Sequence, residues 1–193
     1  MPRLRFAMVC ASNMNRSMEA HSVLNKHRLL VRSYGVGQHV KLPGASKDSP
    51  NVYEFGTPYQ SILDDLSAKD PALYARNGLL DMLRRNVAVK RAPERWQLER
   101  EHQFDVAVTF EERVMAALVE DMQTREATSM RPLLVVNIDV KDNHEEAARV
   151  APQALWLCQK LDACECWEDS VDSIVLKFEK QHKRRATYTV CFY

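Results

Sequence analysis

Short apolar runs alternate with segments of helical periodicity along this chain. Short apolar runs bounded by polar or turn-forming residues are typical of strands, and they predict strands at residues 4–9, 31–34, 104–110, 133–138 and 188–193. Apolar residues that recur every three or four positions predict helices, at residues 16–26, 58–66, 71–84, 111–122, 145–161 and 169–183. Because strands alternate with helices, we expect an α/β fold of three layers, with a mainly parallel central sheet and helices on both faces.

One helical segment contains a proline. Pro152 lies inside segment 145–161, and a proline in a helix interior costs about 3 kcal/mol. We therefore expect the helix either to begin near Pro152 or to kink there.

The totals of the sequence narrow the class of protein. A length of 193 residues with 46% hydrophobic content predicts a single domain, 1–193, with its own core. A net charge of +1 argues against direct electrostatic binding of nucleic acid. The chain has no apolar run of the roughly 18 residues that a membrane span needs, and residues 4–9 are too short an apolar run for a secretory signal.

The cysteines indicate a reducing compartment, because their number is odd, five, and their spacing is irregular. Cys158, Cys164 and Cys166 lie close together in sequence. A structural zinc site takes four ligands, and no fourth ligand stands at a suitable spacing. We therefore expect no metal site, and nothing in the sequence calls for a cofactor.

The first predicted strand ends at a cysteine. Cys10 is followed after five residues by Arg16 and Ser17, where the helical pattern begins. A helix N-terminus and the tight loop before it present free N–H groups, which bind anions and favour the thiolate form of a cysteine. Arg16 can bind phosphate oxygens through its planar fork of donors, and Ser17 can donate to the sulfur. The candidate phosphate-binding loop consists of Ala11, Ser12, Asn13, Met14, Asn15 and Arg16. The alternative is that Cys10 is a small core residue.

Two aspartates follow the predicted strand at 133–138. Thiolate attack on a phosphate ester gives a phosphocysteine, and the leaving alkoxide needs a proton from an acid. Because ligands of parallel sheets lie at the carboxyl ends of the strands, Asp139 and Asp142 are both candidates for that acid, and spacing alone does not choose between them. The alternative for Asp142 is an N-cap of the following helix.

The string Cys10–Ser17, with Asn13 three residues after the cysteine, resembles the low-molecular-weight protein tyrosine phosphatase superfold. The longer string 10–21 resembles, more narrowly, the serine phosphatases that act on the C-terminal domain of RNA polymerase II within the RNA 3′-end processing machinery. The likeness continues through residues 41–44, 50–57, 77–80, 93–95, 104–105, 111–114 and 191–193.

This resemblance implies removal of phosphate from phosphoserine that precedes a cis proline in the heptads of the polymerase domain. It also implies a symplekin-type scaffold of the cleavage and polyadenylation complex as a partner, and a nuclear location, with the cytoplasm as a further one. The match of Asp142 to the family string Asp-Asn-His-Glu favours it as the acid and leaves Asp139 as a loop anchor. Asn13, by the same resemblance, holds the loop in shape.

The chain departs from the family at several positions. Ala11 stands where a second serine is expected, and residues 150–168 look divergent, as in a diverged paralogue. Asn15 stands where the small tyrosine phosphatases carry a second cysteine, so we expect no protective disulfide. Alternative functions are a tyrosine phosphatase of the same superfold and a non-catalytic phosphopeptide-binding module.

Residues 58–102 are more than the small phosphatase superfold needs, and a long polar stretch precedes them. Residues 58–102, with their predicted helices, form a helical insertion that we expect to cap the active site. The polar stretch 38–57 is long for a connection. It is either a surface loop pinned by its aromatic residues or one wall of a groove beside the phosphate site.

Overall fold

The computed structural model describes residues 3–193, so the first two residues of the predicted domain 1–193 lie outside the described part. The strands are β1 (Arg5–Cys10), β2 (Leu30–Gly35), β3 (Val40–Leu42), β4 (Asn51–Tyr53), β5 (Val106–Thr109), β6 (Pro132–Ile138) and β7 (Ala186–Phe192). The α-helices are α1 (Arg16–Lys26), α2 (Tyr59–Lys69), α3 (Pro71–Arg76), α4 (Leu79–Val89), α5 (Glu112–Thr124), α6 (His144–Asp162) and α7 (Val171–His182), and Trp96–Leu98 form a short 3₁₀ helix.

The central sheet has the strand order β2-β1-β5-β6-β7. The first four strands are parallel, and β7 pairs with β6 in the antiparallel direction. Every residue of β6 from Leu133 onward is buried, as expected for an aliphatic strand that is covered on both faces. The predicted mainly parallel α/β fold is confirmed.

Alternate residues of β1 point into two separate cores. Phe6 and Met8 face the layer that contains α1, α6 and α7. Ala7 and Val9 face the layer that contains α5 and the 3₁₀ helix. Cys10 ends this strand, so the loop that follows it emerges at the carboxyl edge of the sheet, where ligands of such sheets bind.

A third apolar cluster holds the helical insertion against that edge. It joins buried residues of α2, α3 and α4 to Val40 and Leu42 of β3. Met14 of the predicted phosphate loop and Met18 of α1 belong to the same cluster. The insertion therefore packs directly on the loop that follows Cys10.

The predicted helix at 71–84 is two helices. It breaks at Asn77 and Gly78, where Gly78 adopts a left-handed φ of 80°. A Cβ on Gly78 would lie 3.0 Å from the ring of His144, so this turn has both a conformational and a steric need for glycine. The expectation of one continuous helix was wrong because tertiary contact with His144 favours a turn there.

Two further expectations need correction. Residues 38–57 are not wholly loop, because β3 and β4 pair as a small antiparallel sheet. Of the two alternatives for Pro152, a helix start there is wrong, because α6 begins at His144 and contains Pro152. The side chain of Asn143 caps it by accepting a hydrogen bond from the Glu146 N–H at 2.8 Å, and its buried face continues on both sides of the proline, so packing outweighs the missing hydrogen bond. None of the helices described for residues 3–193 is long and apolar enough to span a membrane.

Candidate active site

The candidate nucleophile lies at the point where β1 meets the phosphate loop. The Cys10 side chain is 3% exposed, and its Sγ is 3.0 Å from the Ser17 Oγ. Asn13 donates from Nδ2 to the same Ser17 oxygen at 3.0 Å. Because that oxygen accepts from Asn13, the hydroxyl proton of Ser17 is free to point at the sulfur, where it stabilises negative charge.

Asn13 is fixed in a conformation that few residues other than glycine adopt. Its φ is 55°, in the left-handed region that asparagine tolerates better than most. The side-chain oxygen of Asn13 accepts a hydrogen bond from the N–H of Glu94, which lies in the insertion 58–102, at 3.0 Å. Because the nitrogen and the oxygen of its side-chain amide are both hydrogen-bonded, Asn13 holds Ser17 in place. These bonds are consistent with the expectation that Asn13 holds the loop in shape.

Arg16 is 4% exposed and is anchored at the far end of its guanidinium. Nη1 donates to the carbonyl of Val140 at 2.9 Å and to that of Phe110 at 3.3 Å, and Nη2 donates to the Glu111 carboxylate at 3.0 Å. The Nε has no hydrogen-bond partner among residues 3–193. A buried, unpartnered cationic donor is costly unless an anion meets it, so this nitrogen is suited to a phosphate oxygen.

Glu111 is the counter-charge of that arginine, a role that the sequence did not indicate. Burial alone would raise its pKa, but hydrogen bonds from Arg113 and Arg16 outweigh burial and hold the pKa below its usual value. The carboxylate is therefore ionised across the neutral range, and it orients Arg16 from outside the pocket.

The two candidate aspartates have different surroundings. The side chain of Asp142 is 62% exposed and lies 3.6 Å from the Arg16 Nε, and it accepts a hydrogen bond from the Asn15 Nδ2 at 2.9 Å. Asp139 instead accepts from the backbone N–H of Glu112, the first residue of α5, at 3.1 Å. Asp142 therefore faces the phosphate loop, whereas Asp139 joins two elements of the fold.

Most of the predicted site residues line one pocket of about 90 Å³. Its floor includes Cys10 and Arg16, with Ser12, Met14 and Asn15 from the loop. Ala11 and Asn13 support the loop from behind: the Ala11 carbonyl accepts from the Gly37 N–H at 2.9 Å, and Asn13 is fully buried.

The walls of this pocket come from three different parts of the chain. Lys41, Leu42 and Pro43 form one side, Leu79 and Met82 of α4 form another, and Asp142, Asn143 and His144 form the third. Part of segment 38–57 therefore lines a groove, as one of its two interpretations predicts. Met82 was not singled out from the sequence, because only the fold brings α4 to the loop. His144 belongs to the string Asp-Asn-His-Glu that favoured Asp142, but the sequence assigned it no place in the pocket.

A buried polar network lies behind the loop. His21 of α1, which is 7% exposed, shares a hydrogen bond of 2.8 Å with the Ser33 hydroxyl. Lys90 donates to the Ser33 carbonyl at 2.6 Å and to the Glu94 carboxylate at 2.7 Å. Burial, together with the charges of Lys90 and Arg32, lowers the pKa of His21 to about 4, so His21 is neutral at physiological pH.

Comparisons with known proteins place this geometry in a family. The family model described as Ssu72-like protein matches residues 4–193. The RNA polymerase II C-terminal domain phosphatase SSU72 of Homo sapiens is 48% identical over 190 residues, which cover 98% of this chain and 97% of the human protein. The protein of the same name from Danio rerio is 47% identical with the same coverage.

Solved structures agree with the sequence comparison. The crystal structure of Drosophila melanogaster Ssu72 with Symplekin, bound to a cis peptidomimetic phosphoserine peptide of the polymerase domain, has a TM-score of 0.95 at 44% identity, with 100% of both chains covered. A second structure, of the Drosophila melanogaster serine phosphatase alone, has a TM-score of 0.95 at 46% identity and covers 99% of this chain and 100% of the fly chain. Because the family model matches residues 4–193 and relatives of that name are 47–48% identical over 98% of this chain, the chain belongs to the Ssu72-like protein family.

Proposed function

We propose that this protein is a cysteine-dependent phosphatase that removes phosphate from phosphoserine-proline sites in the C-terminal domain of RNA polymerase II. The observation that carries the proposal is that Cys10, Arg16 and Asp142 line one pocket. The Ser17 hydroxyl, behind them, lies 3.0 Å from the Cys10 sulfur. The full-length similarity to phosphatases named for that substrate supports the choice of substrate.

The chemistry divides into two displacements at phosphorus. The Cys10 thiolate attacks the phosphate monoester, while the loop N–H groups and the Arg16 Nε stabilise the charge on the equatorial oxygens. Asp142, in its protonated form, gives its proton to the departing serine alkoxide. In the second displacement Asp142 takes a proton from water, the hydroxide oxygen attacks phosphorus, and the Cys10 thiolate leaves with a hydrogen bond from Ser17.

The walls of the pocket suit a proline that follows the phosphoserine. Pro43, Leu79 and Met82 offer an apolar surface next to the phosphate loop, and a cyclic aliphatic side chain gains free energy when it is buried there. The fly structure with a cis peptidomimetic supports the proposal that the proline is bound in its cis form.

The rate of phosphate release from phosphopeptides tests the proposed substrate. Purified protein should release phosphate from heptad peptides that carry phosphoserine before proline, and release it much more slowly when that proline is replaced by alanine or the phosphoserine by phosphotyrosine. A series of doubly modified heptads then defines which neighbouring residues the groove accepts. Preferential turnover of phosphotyrosine would support the tyrosine phosphatase alternative, and binding without turnover of either class would support a phosphopeptide-binding module.

We also propose a symplekin-type scaffold as a partner and the nucleus as the site of action. The solved complex of the fly relative with Symplekin supports the partner. Size-exclusion chromatography of an equimolar mixture with symplekin should give one co-eluting peak, and separate peaks would contradict this part of the proposal. A fluorescent fusion at either terminus should accumulate in the nucleus, and exclusion from the nucleus would contradict the proposed location.

A further inference from the structure

The phosphate loop needs hydrogen-bond partners on the side that faces away from the pocket, toward the protein interior, as well as in the pocket. In a trans peptide the carbonyl and the following N–H point in opposite directions, and residues 3–193 contain no cis peptide bond. Each N–H that faces the phosphate therefore requires that the carbonyl of the preceding residue point into the protein. A buried carbonyl that finds no donor there is unfavourable, so the loop conformation depends on what lies behind it.

The helical insertion supplies the donors for two of these carbonyls, those of Asn13 and Met14. The Tyr59 hydroxyl of α2 donates to the Asn13 carbonyl at 2.6 Å, and burial raises the pKa of Tyr59 well above its ordinary value, so the group stays a donor. The Asn86 Nδ2 of α4 donates to the Met14 carbonyl at 2.8 Å. The Arg85 Nη2 donates to the same carbonyl at 2.9 Å.

The orientation of the Asn86 amide is determined by its neighbour. Its Oδ1 accepts from the Arg85 Nε at 3.0 Å and from the Arg85 Nη2 at 2.9 Å. A flipped amide would place the NH₂ group against the guanidinium, donor against donor, so the Nδ2 must face Met14. Arg85 is fixed in turn by an ion pair with Glu19 of α1, and Asn86 is fully buried.

We propose that Asn86 is a positioning residue for the phosphate loop. By holding the Met14 carbonyl against α4, it aims the N–H of Asn15, which belongs to the same peptide unit, at the bound phosphate. The helical insertion is then part of the catalytic unit and not only a cap over it. This inference deepens the proposed function and rests on it.

The competing explanation is that Asn86 only stabilises the insertion. Asn86→Leu keeps the side-chain size but removes the donor. Leu66→Ala is the matched control: Leu66 is fully buried in α2, so its truncation destabilises the same insertion through a cavity without removing a hydrogen bond to the loop. Arg85→Met is a second test variant, because it leaves Asn86 in place but removes both the fork that orients its amide and the second donor to the Met14 carbonyl.

The experiment measures inhibition of the full chain by orthovanadate, with p-nitrophenyl phosphate as substrate. Loss of one preorganised donor to an oxyanion lowers kcat by about 10²–10³-fold in other enzymes. In Asn86→Leu the Asn15 N–H is still present but is no longer held toward the phosphate, so the effect should be smaller. We expect kcat to fall about 10- to 100-fold and the orthovanadate inhibition constant to rise about tenfold. Arg85→Met should change both constants in the same direction but by less, and Leu66→Ala should lower Tm with both constants within twofold of the wild type.

The results distinguish a positioning role of Asn86 from a purely structural one. Folded Asn86→Leu with both constants within twofold of those of Leu66→Ala would overturn it. If Asn86→Leu does not fold, an unchanged orthovanadate constant for Arg85→Met would overturn the proposal, and a raised constant would support anchoring of the Met14 carbonyl by the pair Arg85 and Asn86. A wild-type protein that binds orthovanadate but turns over no phosphate ester would count against the proposed function instead, and the effect of Asn86→Leu on orthovanadate binding would still test the positioning role.

Discussion

The two aspartates that follow β6 make the sharpest prediction, because the structure gives them separate roles. Asp142 faces the loop through Asn15, whereas Asp139 accepts hydrogen bonds from the Glu112 N–H at 3.1 Å and from the Asn137 Nδ2 at 3.0 Å. We expect Asp142→Asn to lower activity strongly with little effect on stability. We expect Asp139→Ala to lower stability with little direct effect on the chemistry.

The magnitudes follow from what each side chain contacts. A general acid contributes about 10²–10⁴-fold to rate, so kcat of Asp142→Asn should fall by that range, and a side chain that is 62% exposed should change the free energy of unfolding by less than about 0.5 kcal/mol. Asp139→Ala removes the acceptor of two donors, but Asp139 is exposed and water replaces part of the loss, so the cost is about 0.5–1 kcal/mol. For a chain of this length that corresponds to a Tm lower by about 1–4 °C.

Two substrates make the assay specific. The serine alkoxide of a phosphopeptide needs a proton as it leaves, whereas p-nitrophenolate leaves without one, so Asp142→Asn should lose more activity toward the peptide than toward p-nitrophenyl phosphate. Asp139→Asn is the matched control, because its side-chain oxygen still accepts both hydrogen bonds, and its kcat should stay within about threefold of the wild type. A small loss in Asp142→Asn together with a large loss in Asp139→Asn would assign the acid to Asp139 and refute this reasoning.

Two further predictions concern Ser17 and His21. Ser17→Ala removes the hydroxyl 3.0 Å from the Cys10 sulfur, so kcat should fall about 10- to 100-fold with KM nearly unchanged; in a steady-state assay, a loss seen only in KM would contradict the role. His21, with its pKa lowered to about 4, resists protonation in the folded state, whereas the unfolded chain protonates near pH 6.5. Stability should therefore be lost as the pH falls from about 6.5 to about 4, by up to about 3 kcal/mol. Tm measured across this range should fall more steeply for the wild type than for His21→Gln, and equal slopes would contradict the assignment.

The sequence was sufficient to predict the candidate phosphate loop, because the residues that define it are close together in the chain. The cysteine, the arginine and the following serine lie within one strand–loop–helix unit, and α1 begins at Arg16 as predicted. The order of strands and helices likewise follows from apolar runs and periodicity, since each element buries its own apolar side.

The supports of the loop could not be predicted, because they depend on contacts between residues far apart in the chain. Asn86 reaches the Met14 carbonyl across 72 positions, and Glu111 reaches Arg16 across 95. Asn86 lies within α4 and Glu111 directly before α5, and neither residue type is unusual at such a position, so no local pattern distinguishes it. The same holds for the break at Gly78, where the ring of His144, from another element, favours a turn in a segment of good helical periodicity.

The central claim is that Cys10 carries the phosphoryl group between the two displacements. Rapid acid quench of the wild-type protein with a ³²P-labelled phosphoserine-proline heptad, followed by peptide mapping, measures this directly. The account predicts label on the peptide that contains Cys10, loss of that label during a chase with unlabelled substrate, and neither label nor turnover in Cys10→Ser. Turnover by Cys10→Ser at the wild-type rate, or label that accumulates on another residue, would contradict it.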